Sequence, residues 1–212
     1  AAGLCSREFV VQHRPFRVGA WRRRLGLFGP APSHIAASRV ADLDRLTRRL
    51  AEEGEYAVVV SSTTAVAEAV RHVPSRVRVL EEHNCQARML RERHERSVGR
   101  LQRLRTWLTW RKDVAWERRL FAAFDLVTMV SEQDRAAARG MGCSTVRIEV
   151  VPNGADCARL AKVRAVAEGP KLIYPGAVSY EANLEAVAWF AERVLPLLRH
   201  NLPGVELVVT GS

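Results

Sequence analysis

Short runs of β-branched and aliphatic residues alternate along this chain with longer polar segments of helical period, and few architectures accommodate that alternation. The runs fall at residues 9–11, 57–60, 77–80, 126–130, 148–151, 171–174 and 205–209. Each is short enough to be a strand buried between helices. Strand, helix, strand in succession predicts an α/β fold with a doubly wound, mostly parallel sheet, and in such sheets ligands lie at the carboxyl ends of the strands.

The intervening segments carry their own start and stop signals. Val40, Leu43, Leu46 and Leu50 recur three or four residues apart, which predicts one apolar stripe on a helix capped by Ser38 and ended by Gly54. A second helix is expected over residues 63–73, stopped by Pro74, and one long or broken arginine-rich helix over residues 88–124. Ser131 stands three residues before Asp134, the spacing of a capping box at a strand-to-helix junction. The last helix is expected over residues 183–200, with Trp189 and Phe190 as its core aromatics.

The loops that follow the strands are polar or glycine-bearing: residues 61–64, 81–84, 131–132, 152–156, 176–180 and 210–212. Such loops suit the walls of a cleft for a polar ligand. The chain does not begin with Met, no covering helix follows the run at 205–209, and neither a Gly-x-Gly-x-x-Gly nor a Walker sequence occurs. The pattern therefore predicts a fragment cut at both ends, its opening strand missing.

Cys5, Cys85, Cys143 and Cys157 lie far apart and share no zinc or Cys-x-x-Cys spacing. Free thiols fit a reducing compartment, so the expected location is cytoplasmic. No apolar run approaches the length of a membrane span.

Several loop sequences, in order, resemble the retaining glycosyltransferases of family 4. The match runs from Glu82-His83-Asn84 through Ser131-Glu132 and Pro152-Asn153-Gly154-Ala155-Asp156. It continues with Pro175-Gly176, Tyr180-Glu181-Ala182-Asn183, Trp189-Phe190, Pro203 and Thr210-Gly211. Ala182 replaces a frequent Pro and Ala155 a usual Val or Ile, both small departures.

The resemblance implies a GT-B arrangement of two Rossmann-like domains. Residues 1–156 would be the N-terminal, acceptor-side domain, 157–170 the linker, and 171–212 the start of a donor-binding domain. It further implies transfer of a sugar from a nucleotide-diphosphate sugar to a glycan or lipid-linked acceptor, in cell-envelope polysaccharide synthesis, with no metal or other cofactor. The family's Glu-x7-Glu pair and its diphosphate-holding basic residue are absent, so the chain alone is expected to be inactive.

Each site residue has a structural reading beside the functional one. His83 would hold the transferred glycosyl group as the catalytic residue, or satisfy a neighbouring carbonyl or Glu82. Asn84 would bind the same substrate or form an Asx-turn. Ser131 and Glu132 read as substrate-binding or as a helix cap, and Asn153 and Gly154 as substrate-binding or as a turn at the domain junction. On the donor side, Gly176 would let backbone N–H groups approach a phosphate. Asn183 would bind the donor or cap its helix.

Thirty-three Lys and Arg against 23 Asp and Glu leave a net charge of +10. Arg88, Arg91, Arg93, Arg96, Arg100, Arg103 and Arg105, followed by Trp107 and Trp110, read either as a solvated helix or as a surface for an anionic membrane, which would place the protein peripherally at its inner face. Residues 14–28, with Arg22-Arg23-Arg24, are a second such segment. Nucleic acid would be served by the same charge, but no recognition motif supports it. The rival to the enzyme reading is a non-catalytic basic binding module on a Rossmann-like scaffold.

Overall fold

Four of the aliphatic runs become parallel strands of one sheet: β1 (Tyr56–Ser61), β2 (Ser75–Glu82), β3 (Leu126–Met129) and β4 (Ile148–Val150), in the order β1-β2-β3-β4. The computed structural model describes residues 5–12, 31–38, 40–161 and 169–211, so the basic segment 14–28 and residues 162–168 of the expected linker lie outside the described residues. The chain divides between Gly154 and Ala155 into two compact units. The run at 9–11 forms no strand. Instead the Phe9 ring lies under the guanidinium groups of Arg7 and Arg49, while Arg7 pairs with Glu53 at 2.5 Å.

The register separates the two faces of the sheet. Val58 pairs with Val77, Val60 with Val79 and Val79 with Leu126, so these side chains share one face. Leu80, Val127, Met129 and Ile148 occupy the other, where they form the core with Ala67, Leu120, Phe121, Phe124, Ala138 and Cys143. A monotonic order of parallel strands with right-handed crossovers delivers the connecting helices to one side. The core therefore lies on that side, and Val60 on the reverse face stays 56% exposed.

The helices of this unit are α1 (Ser33–Ser38), α2 (Ala41–Glu52), α3 (Thr64–Val70), α4 (Gln86–Glu95), α5 (Arg100–Phe121) and α6 (Glu132–Gly140). Helix α2 carries the expected stripe but starts at Ala41 after an extended Val40 that offers no side-chain cap, so Ser38 is not its N-cap. The arginine-rich region is a hairpin of two helices. Gly99 takes φ +89°, a conformation an L side chain resists, and there the chain reverses. Helix α4 runs back along α5, with the His94 ring stacked on Trp110 and His94 Nδ1 3.1 Å from the Thr106 hydroxyl.

In the second unit α7 (Cys157–Leu160) is capped by Asp156, whose carboxylate accepts from Arg159 N–H at 3.0 Å. Strands β5 (Lys171–Pro175) and β6 (Glu206–Thr210) then pair in parallel. The expected last helix is interrupted: α8 (Glu181–Trp189) and α9 (Leu195–Asn201) are joined by a π-helical turn over Phe190–Val194. Pro196 explains it, because its ring and missing N–H cannot enter the regular ladder and the wider turn before it makes room. Trp189 is 61% exposed, not a core aromatic as its period suggests.

Candidate functional site

The parallel arrangement brings the loops after β1, β2, β3 and β4 side by side at one edge of the sheet. His83 and Asn84 follow β2 directly, with both side chains exposed. Neither has a hydrogen-bond partner among the described residues; Glu82 does not engage His83 but is buried, with its Oε1 unpartnered. Strand parity is the cause: Glu82 lies on the core face with Leu80, and His83 is the first residue past the strand.

Two buried carboxylates hold this loop in place. Glu117 of α5 accepts from the N–H of Gln86 at 3.1 Å and of Ala87 at 3.2 Å, which satisfies donors that the first turn of α4 leaves open. Asp134 of α6 accepts from the N–H of Cys85 at 3.3 Å and from Arg88 Nε at 2.9 Å. It also accepts from the Ser131 hydroxyl at 2.6 Å, while that hydroxyl accepts from Asp134 N–H at 3.2 Å. Half of the capping box forms as expected. The other limb is diverted across to the β2 loop, so one carboxylate ties the loops of His83 and Ser131 together.

Ser131 thus spends its hydroxyl on Asp134, and Glu132 is exposed and paired with Arg135 at 2.5 Å. Asn153 and Gly154 are exposed after β4. Gly154 does not take positive φ, and a Cβ there would meet nothing within 4 Å, so neither strain nor crowding demands a glycine.

The electrostatics behind the loop are unusual. Burial pushes Glu82 up to about 7, and burial, with the negative charges of Glu82 and Asp113 adding to it, pushes Glu117 up to about 8. Asp113, one turn before Glu117, is raised to about 7 by burial, with His34 Nε2 3.5 Å away and itself lowered by burial. Burial drives the Cys85 thiol to about 12, which makes it a packing group. Burial also opposes ionisation of Asp134, yet hydrogen bonds from Ser131, Arg88 and Cys85 outweigh it and hold Asp134 below the usual carboxylate range.

In the second unit, the Gly176 N–H donates to the Thr210 carbonyl at 2.8 Å and so closes the β5–β6 ladder. A Cβ on Gly176 would stand 2.6 Å from the Tyr174 ring and 3.2 Å from the Asn183 amide nitrogen. Asn183 lies inside α8 and does not cap it; its side-chain amide donates to the Ala177 carbonyl at 3.0 Å, pinning the loop that Gly176 opens.

Among the described residues no group of three or more His, Cys, Asp or Glu could hold a metal ion, and no helix is long and apolar enough to cross a membrane. The arrangement offers one exposed imidazole and one exposed carboxamide on a rigid base. Of the two carboxylates beneath the loop, sequence reasoning passes over Glu117. Asp134 was visible as a capping partner, whereas Glu117 sits in a helix 30 residues from the N–H it receives and has no local signature.

A search of the curated proteins finds no match. The family model of Glycosyltransferase Family 4 matches residues 7–159, a stretch that includes His83, Asn84, Ser131, Glu132, Asn153 and Gly154. On that span, with its parallel α/β sheet, the chain belongs to glycosyltransferase family 4.

Proposed function

We propose that this protein serves the transfer of a sugar from a nucleotide-diphosphate sugar to a glycan or lipid-linked acceptor, with retention of anomeric configuration, at the cytoplasmic side of the cell envelope. The first unit supplies the acceptor side. His83 contacts the glycosyl group in transit, Asn84 orients a hydroxyl of the same substrate, and Ser131, Glu132, Asn153 and Gly154 border them. The second unit supplies donor contacts through the Gly176 loop and Asn183. Residues 157–170 act as the linker.

Such chemistry asks mainly for positioning and for stabilisation of the departing diphosphate by positive charge and helix N-termini, with no metal required. The observation that supports the reading most is His83. It lies inside the family match, at the carboxyl end of a parallel strand, exposed and without a hydrogen-bond partner among the described residues, on a loop that two buried carboxylates immobilise.

The test is sugar transfer from radiolabelled nucleotide sugars, run on the 212-residue chain and on the product of the full reading frame that encodes it. His83→Ala should lower kcat/KM by roughly a hundredfold or more while leaving the circular dichroism spectrum unchanged. Undiminished turnover in that variant would remove His83 from the chemistry.

A further inference from the structure

Separate from the transfer site, helix α5 carries a face that the described residues leave exposed. Thr106 and Asp113 are buried, Thr106 against α4. On the opposite side of the helix Leu101, Leu104, Trp107 and Leu108 fall within an arc of about 120° at 100° per residue. Leu101 is 85% exposed and Trp107 42%, and the other two are about half exposed. Four large apolar residues exposed on one helical face are more than scattered surface hydrophobicity.

The charge around them has one sign. Residues 96–112 contain five arginines and one lysine and no carboxylate. Arg100, Arg103, Arg105 and Arg111 are exposed, and Arg111 lies over the Trp107 ring at 5.9 Å. The same Arg111 lines a cleft of about 540 Å³ between α4, α5 and α6, with Ala87, Arg91, Ala115, Arg118 and Gly140 among its other walls. The arginines of α4 differ in kind: Arg88 and Arg91 are already engaged by Asp134, Glu92 and Glu95. Trp110, the other aromatic of the segment, is turned inward onto His94.

We infer that the outward face of α5, from Leu101 to Arg111, is the surface by which this protein seats on an anionic phospholipid bilayer. An apolar stripe bordered by arginines matches a bilayer interface on both counts. Leucine side chains enter the acyl boundary, a tryptophan sits at headgroup level, and cations meet lipid phosphates. A nucleic acid would have no use for Leu101, Leu104 and Leu108, and a second copy would bring +10 against +10. The cleft beside Arg111 lies where a lipid phosphate would enter.

The inference is tested by flotation with vesicles of phosphatidylcholine mixed with phosphatidylglycerol, against phosphatidylcholine alone. The protein should float with the mixed vesicles only, and less as salt rises. Arg100→Gln, Arg103→Gln and Arg111→Gln should each lower partition about fivefold, while Lys at the same positions preserves it. Trp107→Ala with Leu108→Ala should weaken binding at equal charge, and the blue shift of tryptophan emission on vesicles should disappear in Trp107→Phe. These positions are exposed, so circular dichroism should be unchanged. The inference is overturned by flotation equal on both vesicle types, by absence of flotation, or by binding that survives both sets of substitutions. Capture by RNA or DNA without vesicle binding, or a dimer dissolved by Trp107→Ala, would overturn it equally. None of these results bears on the transfer reading, which rests on His83.

Discussion

The backbone N–H of Cys85 donates to the carboxylate of Asp134 across 49 residues of sequence, at 3.3 Å. Through it the loop that presents His83 is fastened to the helix that begins after Ser131. Because Asp134 also receives Arg88 and the Ser131 hydroxyl, three donors converge on a side chain that is nearly fully buried. Asp134→Ala leaves those donors without an acceptor and should destabilise the protein by about 3 kcal/mol. Asp134→Asn, which keeps one carbonyl oxygen but forfeits the charge, should cost about half as much. Urea denaturation of both variants gives the comparison, and equal losses would mean that the remaining carbonyl contributes nothing once the charge is gone.

Stability should fall as pH rises from 5.5 to 8.5. Glu117, Glu82 and Asp113 titrate in the folded protein at about 8, 7 and 7, raised mainly by burial. In the unfolded chain they return to about 4 to 4.5. A carboxyl raised by folding contributes stability that is complete below its unfolded value and is lost as pH passes through its folded value. Asp134, lowered in the fold, acts oppositely but only in acid, outside this window. The loss should be on the order of a few kcal/mol. Denaturant midpoints at the two pH values read it directly.

Glu117→Gln should flatten that dependence. The amide keeps the volume and removes the ionisation, but its NH2 cannot accept, so the N–H of either Gln86 or Ala87 goes unpaired at a cost of about 1–3 kcal/mol. The variant is therefore expected to be less stable than the parent at pH 5.5 and to close the gap by pH 8.5. A parallel shift at both values would show that Glu117 is not among the titrating groups.

How much of this was legible in the residues depends on distance along the chain. Leu126 to Met129 and Ile148 to Val150 announce themselves as strands because burial between helices selects aliphatic runs locally. The half of the capping box at Ser131 is equally local. Glu117, by contrast, acts on Gln86 and Ala87, and nothing near Glu117 in sequence distinguishes it from a solvated helical carboxylate. The period of α5 likewise marks Trp107 and Trp110 alike; only the hairpin turn at Gly99 decides that Trp110 faces α4 and Trp107 faces outward. Val58 and Val60 read as core and stand exposed, since a period of two says which residues share a face but not what covers it.

Thiol labelling should divide the cysteines two and two. Cys5 and Cys157 are exposed, and Cys85 and Cys143 are buried with thiols raised by burial. An aromatic disulfide reagent at pH 8 should titrate two thiols quickly and the other two only after guanidinium unfolds the chain. Rapid modification of a third would mean that the loop at Cys85 opens readily, and with it the seat of His83.

Gly211 and Gly176 should respond differently to alanine, although each sits at the end of a paired strand. Gly211 has φ +132°, and its Cβ would stand 2.6 Å from the Gly176 carbonyl oxygen, a backbone atom held in the β5–β6 ladder. Gly211→Ala meets both a strained dihedral and a fixed obstacle, and should destabilise the second unit by about 2 kcal/mol or more. At Gly176 the obstacle is the edge of the Tyr174 ring, a side chain that can rotate away, so Gly176→Ala should cost less. Hydrogen exchange at the amides of Ile173 and Val208 follows this pair of strands independently of the first unit. If Gly176→Ala leaves their protection intact yet abolishes nucleotide-sugar binding, the glycine is there for the ligand; if protection and binding fall together, it is there for the ladder.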